Sequence, residues 1–401
     1  MCRKICPSFQ LEIFRLYEKP APDFRCGLFL FEEVAFSAPH CIDIKMIFIG
    51  KIMKRWSVVS AAAAAAAGLL MTFSLAKAGS VSFPSELQSY VHDGHFEVGD
   101  FAWMRGAFPG ANDEQKKRWE HLQAYSTACL KEATKQETEA LLREGEKVSH
   151  SLEERPYIPY ADEKCSALWF WSSPPQNVKT WLEFKTLLTE ESTVIRAYLT
   201  AVEETQKAEN LIDVDGKEHE SERLLIRGVT DQTIRRPLMN GLDLTGEGHP
   251  ASVQKNEFRT MFLAERMEEI DHANTRWLQQ IVASKGWPTL TQAGSVPSKA
   301  AWLLVQHADD DIAFQARALK LMTPLAKKGE VNQSNYALLT DRVSIALTGH
   351  QIYGSQMSCT KGRLIPLPIE QPTDVNQRRH ALGIGTIEQK ISEMKDEGIC
   401  R

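Results

Sequence analysis

Beyond about residue 110, apolar side chains recur at intervals of three and four, the spacing of helices that bury one face. Asn112-Asp113-Glu114-Gln115 supplies an N-cap followed three positions on by an amide. Trp119, Leu122, Tyr125 and Cys129 continue the stripe into a highly charged stretch from Glu137 to Lys147, which ends before Pro156. Trp181, Phe184, Leu188, Ile195, Tyr198, Leu199 and Val202 predict a second helix. Phe262, Met267, Ile270, Trp277 and Ile281 predict a third that stops at Gly286-Trp287-Pro288. Ser298 is placed to cap a short, very apolar helix through Trp302 and Val305. Ile312, Ala316, Leu319 and Met322 mark the next, which ends near Gly329, and a further helix runs from Asn332 to Thr348.

Elsewhere the pattern changes. Ser80 to Gly110, rich in Gly, Ser and aromatics, reads as an irregular lead-in. The aromatic run Leu168-Trp169-Phe170-Trp171 enters a breaker at Pro174-Pro175. It fits a platform for sugar faces or a buried anchor, and burial is the better reading because clustered Trp and Phe usually belong to cores. From Asn210 to Gly248 the periodicity loosens into a turn at Asp213-Val214-Asp215-Gly216 and a polar loop from Leu242 to Pro250. The Asp213-Asp215 pair lacks the later ligands of a calcium loop. Gln351 to Ser358 and Arg363 to Ile369 look extended, with Cys359-Thr360-Lys361-Gly362 as the hairpin turn between them. Asp374 then caps a short helix ending before Gly383, and Thr386-Ile387-Glu388-Gln389 is a capping box for the last one. The expected fold is mainly α, an irregular helical bundle with a small C-terminal β-hairpin. Residues 79–225 form a helical N-terminal region and 226–401 a C-terminal domain.

With 401 residues, 43% of them hydrophobic and 25% charged, the chain has apolar material for one or two cores. A net charge of −5 with no basic stripe argues against a nucleic-acid partner. Lys54-Arg55, the apolar run through Ala61 to Ala67 and Leu69-Leu70-Met71, and Ala76-Lys77-Ala78 reproduce the three parts of a secretory signal peptide over 53–78, cleaved before Gly79. A membrane anchor is the competing reading, but the run is short, dominated by weakly hydrophobic Ala, and lacks a stop-transfer flank. Residues 1–52 are then a doubtful leader, with Met46 or Met53 as the true start, or else part of an unusually long one. A periplasmic or secreted protein follows, with no stable membrane insertion after cleavage. Four cysteines lie beyond residue 79, and the local pairing joins Cys129 to Cys165 and Cys359 to Cys400; four unpaired thiols are the alternative.

The C-terminal block interrupts its apolar runs with polar groups that need partners when buried. His307 precedes Asp309, Asp310 and Asp311, so a carboxylate such as Asp309 or Asp271 could orient the imidazole for general-base work. The bland reading makes His307 a core histidine, and Asp310 or Asp311 the cap of the helix at Ile312. Asp341-Arg342, joined by Arg378 and Arg379, could be a structural ion-pair network or a clamp for a carboxylate or phosphate. On a strand, Gln351, Tyr353 and Ser355 would share one face and Gln356 the other; the amides fit a polar pocket and equally a hairpin that fixes register. Asp231, Arg235, Asp271 and Asn274 complete the set. His272, His350 and His380 show no spacing that ties them to His307, so no metal and no cofactor is expected. Nucleophile-elbow, phosphate-loop and dinucleotide signatures do not occur.

The stretch from Asp231 to Ile391 resembles a bacterial domain family of unknown function. The resemblance is carried by Asp231-Gln232 with Arg235, Asp271 with Asn274, Gly286-Trp287-Pro288, Gln306-His307-Ala308-Asp309, and Leu338-Leu339-Thr340-Asp341-Arg342-Val343. It continues through Gln351-Ile352-Tyr353-Gly354-Ser355-Gln356, Pro368-Ile369-Glu370, Val375, and Arg378-Arg379 with Leu382-Gly383. It implies an often exported, mostly helical domain and supplies no reaction, ligand or cofactor. Residues 79 to about 225 lie outside it. The functional expectation is a domain that binds a small molecule or peptide at this polar set. The alternatives are a hydrolase centred on His307 and a structural or partner-binding helical module.

Overall fold

A computed structural model describes residues 82–92, 95–149, 163–212, 219–239, 242–244, 251–360 and 362–396. The leader at 1–52, the signal segment at 53–78 and the turn at 213–216 lie outside these residues. Eleven α-helices dominate them, in agreement with the mainly α expectation. They are α1 (Asp113–Arg143), α2 (Glu163–Phe170), α3 (Trp181–Lys207), α4 (Glu220–Met239), α5 (Val253–Lys285), α6 (Leu290–Ala293), α7 (Ser295–Gln306), α8 (Ile312–Ala326), α9 (Gln333–Thr348), α10 (Val375–Ala381) and α11 (Ile387–Asp396). The lead-in segment is more ordered than its composition predicts. It holds 3-10 turns at Ser85–Tyr90 and Ala102–Ala107, and a two-residue hairpin of β1 (Val91–His92) with β2 (His95–Phe96). The C-terminal hairpin pairs β3 (Met357–Thr360) with β4 (Arg363–Pro366), antiparallel. Gly362 takes φ 70° at the turn, the left-handed conformation that favours glycine.

Local chemistry explains most helix starts. At α1 the Asn112 side chain accepts from Gln115 N–H while the Gln115 side chain accepts from Asn112 N–H, and Thr180 and Glu183 do the same for α3. Asp311 caps α8, and Asn332 caps α9. Thr386 and Gln389 form the box that opens α11. Ser298 does not cap α7. The helix begins at Ser295, because Gly294 (φ 87°) ends the preceding turn and starts the next helix directly. Asp374 makes no side-chain cap for α10.

The aromatic run at 168–171 belongs to a core, with Leu168 and Trp171 fully buried. Trp171, Phe101, Phe184, Phe258 and Phe262 interlock edge to face, with ring centroids 4.5 Å apart for Phe101–Trp171 and 4.9 Å for Trp171–Phe262. Phe258 and Phe262 sit on α5, so this long helix joins the aromatic core of the N-terminal half to the C-terminal helices. Cys129 of α1 and Cys165 of α2 form a disulfide, as the local pairing predicts. Cys359 is also disulfide-bonded; its expected partner Cys400 lies outside the described residues.

The largest departure from the sequence pattern is α4. It spans 20 residues of a region that reads as irregular. It packs against α3, α5 and α7, so its apolar and small residues spread around the helix instead of forming one stripe. Gly228 makes the approach to α7 close: a Cβ there would lie 3.2 Å from the Ala300 Cβ. That crossing fixes where the polar residues of α4 meet the end of α7.

Candidate functional site

Asp231, on the inner face of α4, has no exposed surface. Its carboxylate accepts from Arg235 one turn along the helix (2.6 Å) and from Gln232 (2.8 Å). His307 closes the C-terminus of α7, and its Nδ1 stands 2.9 and 3.0 Å from the two Asp231 oxygens. Burial alone would raise the Asp231 carboxyl, but the Arg235 charge and His307 outweigh it and hold it below the ordinary carboxylate range. A carboxylate on Nδ1 fixes the ring and its tautomer and leaves Nε2 as the working nitrogen. Nε2 has no hydrogen-bond or ion-pair partner among the described residues.

The second guanidinium nitrogen of Arg235 pairs with Asp271 of α5. Burial works against the Arg235 charge, yet Asp231 and Asp271 hold it above its usual value. Burial pushes Asp271 up to about 6 even with Arg235 beside it. Asp309, in the turn between α7 and α8, accepts from Arg342 of α9 and from Gln315 Nε2 (3.3 Å). Asp231, Arg235, Asp271, His307, Asp309 and Arg342 therefore converge from four helices and one turn. The centre keeps an outlet to solvent: the Arg342 side chain is 27% exposed, Asp309 15% and His307 11%. Asp271 Oδ1, Gln306 Oε1 and Gln315 Oε1 are buried acceptors with no donor among the described residues.

Asn274 stands apart, accepting from Arg227 at 3.1 Å. Asp341, Gln351, Tyr353, Gln356, Arg378 and Arg379 make a second network. Residues 351–356 are a wrapped loop rather than the extended strand the alternation predicts. The reason is Asp341, whose carboxylate accepts from the backbone N–H groups of Ile352, Tyr353 and Ser355, each at 2.7 Å. Gln351 braces the same loop by donating to Gln356 O (2.9 Å) and Leu367 O (2.8 Å) while accepting from Gln356 N–H. Arg378 donates to Ile352 O at 2.8 Å and to Glu370 O at 2.6 Å, and Arg379 to Tyr353 O at 2.8 Å and Gly385 O. Both arginines are spent on backbone carbonyls. Gly354 sits at φ 69° against Ile387 and Ile369, where a Cβ would meet Ile387 Cδ1 at 2.6 Å.

Beside the first centre lies a group absent from the sequence expectation. His272 Nε2 is 2.8 Å from Asp310 Oδ2 and 3.3 Å from Glu268 Oε1. It adjoins the first centre because Asp271 and His272 are consecutive on α5, and Asp309 and Asp310 are consecutive in the turn. Burial, then Asp310, Asp271 and Asp309, raise the Glu268 carboxyl well above the ordinary range. The signal in the sequence was Glu268-x-x-x-His272, two residues on one helical face. Asp310 carried none, since its neighbour Asp311 is the residue that caps α8.

Residues 251–399 match the model of a family of unknown function, DUF6624. The match covers α5 to α11 and thus Asp271, His307, Asp309, Arg342 and the 351–356 loop; Asp231 and Arg235 precede it. No curated protein and no solved structure matches the chain. Among the described residues no helix is long and apolar enough to cross a membrane.

Proposed function

We propose that the chain binds a small polar molecule or peptide at the centre around His307. The observation that carries this reading is the pair of buried acceptors, Asp271 Oδ1 and Gln315 Oε1, beside charged groups that retain solvent contact. Leaving such atoms without a donor costs about 1–3 kcal/mol each. A ligand that donates hydrogen bonds, an amine or an amide, recovers that energy on binding. The Asp231–His307 pair favours a second reading, hydrolysis of the bound molecule with His307 Nε2 as general base and Asp231 as the positioning residue. Asp309 accepts from Arg342 and Gln315, and Asp271 from Arg235, so neither is the carboxylate on His307 Nδ1.

The test is thermal melting of the chain beginning at Gly79 against a library of amines, amino acids and dipeptides, repeated with His307→Ala. A rise in Tm with wild type supports binding. Turnover of the stabilising compound by wild type and not by His307→Ala supports hydrolysis. No shift with any compound, together with a large loss of stability in His307→Ala, makes the centre structural and overturns both readings.

The same proposal places the protein outside the cytoplasm. The three-part pattern at 53–78 and the Cys129–Cys165 disulfide, a bond that persists in oxidising compartments, support it. Intact-mass measurement of protein recovered from the periplasm of a bacterial host should give a chain starting at Gly79. Recovery only from the cytoplasm at full length refutes export.

A further inference from the structure

We propose that Glu268, His272 and Asp310 form a binding site for a divalent first-row metal ion. Glu268 and His272 stand four residues apart on one face of α5, and Asp310 enters from the turn between α7 and α8. One ligand atom from each lies within 4.8 Å of the other two. Donor atoms around a tetrahedral zinc ion are about 3.4 Å apart. The His272–Glu268 distance of 3.3 Å already matches, and the 2.8 Å His272–Asp310 contact needs to open by about 0.6 Å.

Two buried carboxyl groups that face each other need a proton or a cation between them. Glu268 is 6% exposed and Asp310 7%, yet among the described residues Glu268 Oε1 has only the 3.3 Å ion-pair contact with His272, and Asp310 Oδ1 receives no hydrogen bond. Arg235 and Arg342, which serve the adjoining His307 centre, pair with Asp231, Asp271 and Asp309. Two carboxylates and one imidazole without a thiolate suit Zn2+ or Mn2+ better than a soft ion such as Cu+. The inference goes beyond the His307 reading and stands without it, because its test reads cation uptake alone.

The full chain, stripped with EDTA and dialysed, is titrated calorimetrically at pH 7 with ZnCl2 and, separately, with MnCl2. One equivalent of at least one cation should bind and raise Tm. Glu268→Gln, which keeps the shape and neutrality of a protonated glutamate, and His272→Ala should each weaken binding by at least about 100-fold. Absence of binding by wild type for both cations overturns the proposal, as does binding that persists undiminished in Glu268→Gln. If neither variant folds, Co2+ replaces them as the probe of wild type. A visible absorption band that saturates at one equivalent and is displaced by Zn2+ supports the site, and a featureless spectrum rejects it.

Discussion

Asp231→Asn is the perturbation that bears most directly on the His307 centre. The native carboxylate receives Arg235 and His307 on one oxygen and Gln232 and His307 on the other, with no exposure to water. An amide replaces one of those oxygens with a donor, so a donor faces a donor whichever way it turns, and the charge opposite Arg235 is gone. Removing one member of a buried pair costs about 3–5 kcal/mol. The lower end applies because Asp271 still neutralises Arg235. At an unfolding entropy of about 2.1 cal/mol/K per residue, the roughly 285 described residues lose about 5 °C in Tm for a 3 kcal/mol change. The native carboxyl lies below its ordinary pKa, so its contribution is complete above the unfolded value near about 3.9 and is lost as pH falls through the folded one. Calorimetric melts of both proteins should therefore show the gap at pH 7, where Asp271, raised to about 6, is ionised, and a closing gap below about pH 4. An Asp231→Asn variant within about 0.5 kcal/mol of wild type at pH 7, or a gap that fails to close below about pH 4, would refute the account of Asp231 as the charged anchor of Arg235 and His307.

Glu191 is buried under Lys255 (2.8 Å) and Arg259 (2.6 Å). Burial raises its carboxyl, but those two partners outweigh burial and hold it below the usual range. Glu191→Gln should cost about 2–3 kcal/mol at neutral pH, an effect that urea denaturation should show disappearing as pH falls through the folded pKa. Gly354→Ala meets both a left-handed backbone and the Ile387 and Ile369 side chains, and should lose at least about 2 kcal/mol by the same assay. Reducing Cys129–Cys165, or replacing both residues by Ala, frees a loop with a sequence separation of 36 and should lower stability by about 4 kcal/mol on the chain-entropy account. A Tm unchanged by dithiothreitol counts against that.

Fold class was legible because its signals are local. Asn112 with Gln115, Thr386 with Gln389 and Gly362 at its turn each act within three or four residues, and α1, α3 and α5 bury their apolar residues along a helical stripe. The helix α4 was not legible, since three neighbouring helices cover it and its apolar residues have no single side to gather on. The loop at 351–356 was misread for a related reason. Its alternation fits a strand, but Asp341, more than ten residues earlier, competes for its N–H groups and wins. The residue set of the His307 centre could be named in the sequence, but its division into two networks could not. Arg342 turns to Asp309 while its neighbour Asp341 holds the loop, because adjacent helical residues point about 100° apart.

By itself the amino-acid order determined the helices with caps and stripes, the hairpin and the chemical types available near the C-terminus. Only the packing of α4, α5, α7 and α9 decided that Asp231 meets His307 and that Glu268 and His272 meet Asp310. Capping energies depend on neighbours along the chain. The pairing of buried charges depends on which helices cross, and here the crossing is set by a Gly228–Ala300 contact between residues 72 positions apart in the sequence.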